Sequence, residues 1–444
     1  MQLKTLPRFQ NLLMSLVIGL VFAGAAAAEG TEKTTLKNGI KVLLIPIKDS
    51  PNINIITWVP FGLCHDQKDQ AQWSHLIEHL VSQSTGEASF QEINAETLPD
   101  GMHLDYSRPA DTWKDGIDYH VRWLSMKHFT EANVKHEIPR VIKETESISQ
   151  AGHTHKFAFG AWAQAVGFGT SHVEMLGDVR GAEAKTKELF NCYRRNFLTG
   201  RTPVIAISGK FERDALLKEL EKRIGKIALP PAPGKPRPAN REIPIRITWD
   251  LASRHLIFYW PLPDTTDHQR AELLAASKSL MMSWFTTPSD YRPHRSFVSV
   301  EDRLEVAGRA YLVVNMTLHE SDKDALESAR RDAAKFVKAL LEENSKSRQT
   351  GRIHARVQHK QFDDVDRTVA QSMTQRMPNG QTIPRKTIEG NVAVQMGMME
   401  FRYDGKMSDY VEILTNPDDA KAREFLKKVF ASGKRQELLI EPKR

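Results

Sequence analysis

The sequence predicts two tandem, related α+β domains. Three observations lead there. The 444 residues, 40% of them hydrophobic and 26% charged, suffice to bury at least two cores. A proline-dense stretch near the middle breaks all periodicity. The order of strand-like and helix-like segments before that stretch is repeated after it.

In the first half, residues 34–60 read as strands around a turn. Thr35-Leu36 leads to Lys37-Asn38-Gly39, and apolar runs follow at 40–45 and 53–59; the Asn-Gly pair between apolar runs is a strong hairpin signal. Helical patterning runs from about Gln70 to Gln83 around Trp73, Leu76, Ile77 and Leu80. A strand at 202–208 ends in Gly209-Lys210-Phe211 and leads into an amphipathic helix at 214–224. Trp58, Trp73 and Trp162 are expected in the core of this first domain.

Residues 229–242, with prolines at 230, 231, 233, 236 and 238, form a stiff, extended connector. This separates a domain at 29–228 from one at 243–444. The second half then reads as strands at 243–249 and 255–260, a helix near 268–284, a strand at 309–316 and a helix at 322–342. It carries no copy of the His/Glu cluster described below.

The first 28 residues have Lys4 and Arg8, a largely apolar run at 12–22 and a small-residue stretch, Ala23-Gly24-Ala25-Ala26-Ala27-Ala28, before Glu29. This is the layout of a cleavable secretory signal, so an exported mature chain, periplasmic in a bacterium, is expected. The alternative, an uncleaved anchor, needs roughly 20 apolar residues and reaches that length only if the alanines are counted. Loss of Lys4 and Arg8 takes the formal charge from +7 to +5. That mild balance, with both signs interspersed, gives no nucleic-acid footprint. Cys64 and Cys192 are too few for a disulfide scaffold or a zinc knuckle and read as two separate buried thiols. Met396-Gly-Met-Met399 reads as a core segment.

The chemistry is concentrated in Trp73-Ser74-His75-Leu76-Ile77-Glu78-His79-Leu80. Residues three and four apart share a helix face, so His75 and His79 can direct both imidazoles at one ion with Glu78 beside them. This His-x-x-Glu-His order is the inverted zincin pattern. Catalytic zinc takes three protein ligands and keeps a position for a water, whose pKa it lowers to about 7, while a carboxylate that is not a ligand takes the proton. Glu78 has the type and position for that general base. The third ligand must come from elsewhere. In His136-Glu-Ile-Pro-Arg-Val-Ile-Lys-Glu-Thr-Glu146, Glu137 and Glu144 lie seven apart on one helix face. Glu144 is the expected ligand and Glu137 a supporting acid, with Glu146 the alternative ligand. Pro139 is expected to start a helix, which would leave Glu137 at or outside its edge.

With these residues the chain resembles the pitrilysin family of metallopeptidases, which includes insulin-degrading enzyme and the mitochondrial processing peptidase. The likeness covers most of residues 35–440. Its landmarks are Leu36-Lys-Asn-Gly-Ile-Lys-Val42, Gly62, Gly101-Met-His-Leu-Asp105 with Asp111, Leu176-Gly-Asp178, Tyr193, Ile207-Ser-Gly-Lys-Phe211 and Leu439-Ile-Glu-Pro442. The resemblance implies two domains, each a largely antiparallel sheet flanked by helices. It implies a Zn2+ site on His75, His79 and Glu144 with Glu78 as base and Glu137 in support. It also implies a peptide substrate bound as an added strand at a sheet edge near Asp105, and a homo- or heterodimer with a related chain, in which one member can lack chemistry. Asp105 and Tyr106 replace the Asn-Ala pair that the family has on its substrate-holding strand. For the substrate-clamping arginine and tyrosine of the family's second half, Arg295 is the nearest arginine, while Phe297 or Val298 stands where the tyrosine falls.

Overall fold

The computed structural model describes residues 31–48, 50–67, 70–82, 93–125, 129–150, 155–169, 172–173, 179–196, 202–229, 245–249, 251, 253–263, 273–274, 277–278, 280–281, 295–319, 322–341, 374–376, 382–384, 388–403, 419–432 and 435–442. The signal-like residues 1–28, all of the connector but residue 229, and Leu176-Gly-Asp178 lie outside them.

The first half contains β1 (Glu32–Thr35), β2 (Lys41–Pro46), β3 (Asn52–Val59), α1 (Trp73–Ser82), β4 (Ile93–Thr97), β5 (Met102–Pro109), α2 (Trp113–Leu124), α3 (Glu131–Gln150), α4 (His155–Phe168), β6 (His172–Val173), α5 (Thr186–Asn196), β7 (Val204–Gly209) and α6 (Arg213–Arg223). The second contains β8 (Arg246–Trp249), β9 (His255–Pro261), β10 (Arg295–Val306), β11 (Arg309–Leu318), α7 (Ala325–Leu341), the short pair β12 (Thr374–Arg376) and β13 (Thr382–Pro384), α8 (Ile388–Tyr403), α9 (Asp419–Ser432) and β14 (Gln436–Pro442).

Two six-stranded sheets carry the fold, in the orders β1-β2-β7-β3-β5-β4 and β10-β11-β9-β14-β8-β6. Within each, one topology recurs. The first strand of the set runs parallel to the last, β2 with β7 and β8 with β14. Antiparallel pairing then leads through the second strand to the fourth and finally to the third, so β4 and β10 end their sheets. This repeat is the doubled, largely antiparallel α+β architecture expected from the sequence.

Strand alternation sorts the cores. Ile53, Ile55 and Val59 of β3, with Met102, Leu104 and Tyr106 of β5, face α1, α2 and α3. Ile56 and Trp58 of β3 face the other way, under Ala393, Met396 and Phe401 of α8. The helices are therefore exchanged, since α8 of the second half covers the first sheet. In return, Phe157, Phe159 and Trp162 of α4 pack on Ile257, Tyr259, Tyr311 and Val313 of the second sheet. Trp162 thus belongs to the second sheet's core, against the expectation from chain position, with its ring 5.7 Å from Tyr259 and 5.5 Å from Tyr311. Cys64 and Cys192 are separate, buried free thiols, as read from the sequence. Among the described residues no helix is long and apolar enough to cross a membrane.

Two features hold the loops around α1. The Cβ of any residue at Gly62 would fall 2.3 Å from the carbonyl oxygen of Leu98 and 2.5 Å from the nitrogen of Gly101. Only glycine allows that approach, and the neighbouring Leu63 and Cys64 amides donate to the Leu98 and Pro99 carbonyls at 3.0 and 2.9 Å. Arg402, at the end of α8, reaches Asp100 in the same turn at 2.8 Å and Glu301 of β10 at 3.3 Å, tying the β4–β5 hairpin to the second half.

Candidate metal centre

Helix α1 is nearly all interior, with Trp73, Leu76, Ile77, Leu80 and Val81 in the first core. Its N-terminus is capped from outside: Asp66 accepts from the Ser74 amide at 2.8 Å and the Ser74 hydroxyl at 3.1 Å. Burial of one face fixes the rotation of the helix and brings His75 and His79, one turn apart, into edge-on contact with ring centres 5.0 Å apart. Phe157 of α4 lies 5.9 Å from the His75 ring and closes that side.

The third group arrives on α3. His79 Nε2 lies 3.2 Å from Glu144 Oε2, and His75 Nε2 lies 3.7 Å from Glu144 Oε1. Ligand atoms about 2.0–2.1 Å from a tetrahedral ion are roughly 3.3 Å from one another, so this spacing fits zinc. Among the described residues His75, His79 and Glu144 are the one group of three or more His, Cys, Asp or Glu arranged to hold an ion. Glu146, the alternative ligand, is exposed two residues further along α3 and outside the group.

Pro139 does not start the helix. It lies inside α3, which begins two turns earlier, where the Thr130 hydroxyl accepts from the Asn133 amide at 3.2 Å. A proline there costs roughly 3 kcal/mol, offset by the packing of Val134, Ile138 and Val141 in the core. Glu137 is consequently within the helix and buried, not at its edge. Its Oε2 lies 3.1 Å from His79 Nδ1, and its Oε1 meets His136 at 2.9 Å and Arg140 at 3.1 Å.

Electrostatics give an independent test of fit. Hydrogen bonds from His75 and His79 hold the Glu144 carboxyl well below the usual range. Burial pushes Glu137 up, yet its bonds to His79, His136 and Arg140 outweigh that and bring it down to about 2. Burial disfavours the charge on His79, but Glu137, Glu144 and the nearby Glu78 raise it to about 9. Three carboxylates therefore converge on two imidazoles. That surplus of negative charge attracts a proton to His79, and a divalent cation would satisfy it better.

Glu78 stays out of the trio. Its Oε2 accepts from the Thr97 hydroxyl at 2.6 Å, a short charge-assisted bond that fixes the carboxylate at the margin of the cluster. Thr97 ends β4, a strand that sequence reading missed because Ile93 is the one large apolar residue in Ile-Asn-Ala-Glu-Thr.

The expectation at Asp105 needs correction. β5 is an interior strand paired on both sides, with β3 and with β4, so among the described strands the edge on this side is β4. Alternation also turns Asp105 away from α1. It is buried beside His103 Nδ1, at 2.8 Å, on the α8 side of the sheet where His103 packs on Trp58. Arg295 begins β10, the edge of the second sheet; its side chain, like that of Phe297, lies outside the described residues. Val298, the other residue at the family's tyrosine position, is buried in the second core.

His-x-x-Glu-His on the helix inside the first half of a doubled α+β fold, with a glutamate from a second helix facing it, is the arrangement of the inverted zincin motif. Residues 185–293 match the family model described as the peptidase M16 inactive domain. A mitochondrial-processing peptidase subunit beta of Arabidopsis thaliana is 21% identical over 222 residues, an alignment that takes in 46% of this chain and 40% of that relative. Among solved structures, an M16-like peptidase from Alicyclobacillus acidocaldarius superposes with a TM-score of 0.59 at 14% identity, covering 93% of this chain and 98% of that one. A peptidase M16 inactive domain from Pseudomonas fluorescens gives 0.58 at 13% identity, with the same coverages. In sequence the chain is similar to the M16, or pitrilysin, peptidase family over part of its length, and in fold to M16-like structures over most of it. The segment that matches the inactive-domain model contains none of His75, Glu78, His79 and Glu144.

Proposed function

We propose that this chain is an exported, zinc-dependent endopeptidase acting on peptides or unfolded polypeptide segments. One observation carries the reading: the His75, His79 and Glu144 ligand atoms lie within 4.8 Å of one another, while Glu78 remains beside them as a carboxylate that is not a ligand. Zinc bound there would polarise a scissile carbonyl and acidify a water. Glu78, with Oε2 held by Thr97, takes the proton on Oε1 and delivers it to the leaving amine. Glu137 holds the His79 ring so that Nε2 faces the site.

The substrate would lie extended along β4 rather than at Asp105. The Leu98 amide donates to the Gly101 carbonyl at 2.8 Å, closing the hairpin as a hydrogen-bonded pair. Pairs alternate from there, so the backbone groups of Thr97 and Ala95 point to the open edge. A peptide strand can add to them within reach of Glu78.

A second reading is a non-catalytic partner in a heterodimer. It is favoured by the inactive-domain match and by a relative that is itself a subunit. Metal analysis and a peptide-library digest on the purified chain separate the two. Stoichiometric zinc with turnover, and a Glu78→Gln variant that keeps zinc and loses cleavage, support the enzyme. Bound zinc without turnover, restored by adding a related chain, supports the subunit; turnover by Glu78→Gln rejects the assigned base.

A further inference from the structure

The two histidines are anchored differently. His79 Nδ1 faces a carboxylate, Glu137, carried on another helix. His75 Nδ1 lies 3.1 Å from Oε1 of Gln72, three residues before it on its own segment. Gln72 is buried, and its backbone has φ +69°, the left-handed region that side chains other than glycine rarely adopt.

Gln72 is also the residue from which α1 departs, its carbonyl accepting from the Leu76 amide at 2.9 Å. A residue at that position ordinarily spends its side chain on capping. Here Asp66, eight residues before Ser74, does the capping. The Gln72 amide is thereby left to turn inward, and the left-handed backbone aims it at the His75 ring.

We propose that Gln72 is a positioning residue of the metal centre. Its carbonyl oxygen accepts from Nδ1–H of His75, which selects the tautomer whose Nε2 lone pair faces His79 and Glu144. The unfavourable backbone is retained because it delivers this bond. The inference rests on the metal-binding reading above, and the experiment keeps the two apart.

Gln72→Gly relaxes the backbone while removing the amide, and Gln72→Glu keeps an acceptor. Zinc affinity is measured by chelator competition on the full chain. The tautomer of His75 is read from 15N shifts of histidine-labelled, metal-free protein. Gln72→Gly should weaken zinc about 10- to 100-fold without lowering the thermal midpoint of the metal-free protein, and should shift the His75 ring to a mixture of tautomers. Gln72→Glu should stay within a few-fold of the parent. A parent that binds zinc beside a Gln72→Gly variant of equal affinity and unchanged tautomer overturns this role alone. A parent that binds no zinc, with His75 outside the Nδ1–H form, overturns the metal reading and this role together. A parent without zinc whose tautomer still depends on Gln72 overturns the metal reading and limits Gln72 to ordering the ring.

Discussion

The two halves share a strand order and differ in what fills one slot. Between the second and third strands of the repeat, the first half places α1, with His75, Glu78 and His79. The second half places helical turns at 273–274, 277–278 and 280–281 there. Leu274 and Met281 in those turns are buried in the second core, and Ser277 is buried as well. The same scaffold position thus holds the His75, Glu78 and His79 cluster in one half, while its described residues in the other half pack the core. A repeat architecture allows this, because the sheet and its covering helices are stabilised independently of the slot.

The halves are nonetheless not separable. α4 lies on the second sheet and α8 on the first. Phe157, the aromatic closing the His75 side, comes from the same helix that fills the second half's core. The packing of α4 on the second sheet therefore takes part in shaping the candidate metal site, and the second half holds the β4–β5 turn through Arg402.

The largest effect is expected from removing the acidic ligand candidate that faces the first slot. Glu144→Ala removes one of three ligands from a half-exposed position. Zinc-site free energies of roughly 10–16 kcal/mol spread over the ligands imply a loss of about 10³-fold in affinity. The metal-free variant should unfold close to the parent, because Glu144 contributes little to the core. Isothermal titration with zinc and thermal denaturation check the two halves of this statement. A variant that binds zinc as the parent does would remove Glu144 from the site.

A smaller effect distinguishes the loop that frames the slot from the helix exchanged across the halves. Gly62→Ala forces a Cβ into the Leu98 and Gly101 backbone, with no flexible side chain to yield. It should cost about 2–4 kcal/mol, in the range of overpacked and strained sites. In Gly160→Ala, within α4, the new Cβ meets nothing closer than 3.5 Å. That change should be neutral or stabilising by up to about 1 kcal/mol, the helix-propensity gain of alanine. Chemical denaturation of both variants tests the contrast. Equal losses would mean that close backbone approach at Gly62 is not what orders the hairpin.

Much of this was legible in the sequence because it is local. The 3.6-residue period and the His-x-x-Glu-His spacing define α1 and its paired imidazoles, and seven-residue spacing on α3 puts Glu137 and Glu144 on one face. Asn38-Gly39 marks the β1–β2 turn, where Gly39 has φ +91°. What was not legible depends on distant partners. β4 has too little apolar character to announce itself and is a strand because β5 pairs with it. Asp105 aligns with a family position by number along the chain, but its face follows from strand parity. Pro139 departs from the local rule that proline starts a helix, because the Thr130 cap and core packing override it. Gln72 reads as an ordinary polar residue until its backbone angle and its distance from His75 are known.

The smallest expected effect concerns the bond between the edge strand and the base. Thr97→Val keeps the shape and β-propensity of the side chain and deletes the hydroxyl that donates to Glu78 Oε2 at 2.6 Å. Hydrogen bonds to charged groups contribute about 1.5–3 kcal/mol. Part of that is recovered when the carboxylate turns to water or to the cation, so a reduction of about tenfold in kcat is expected. Zinc affinity should stay within a few-fold, since neither atom of the deleted bond belongs to a ligand, and Thr97→Ser should restore most of the rate. The described slot residues of the second half include no carboxylate or imidazole. If Thr97→Val instead lost zinc, β4 would be supporting the ligand shell, and the distinction between a metal-holding helix and a base-holding edge strand would have to be abandoned.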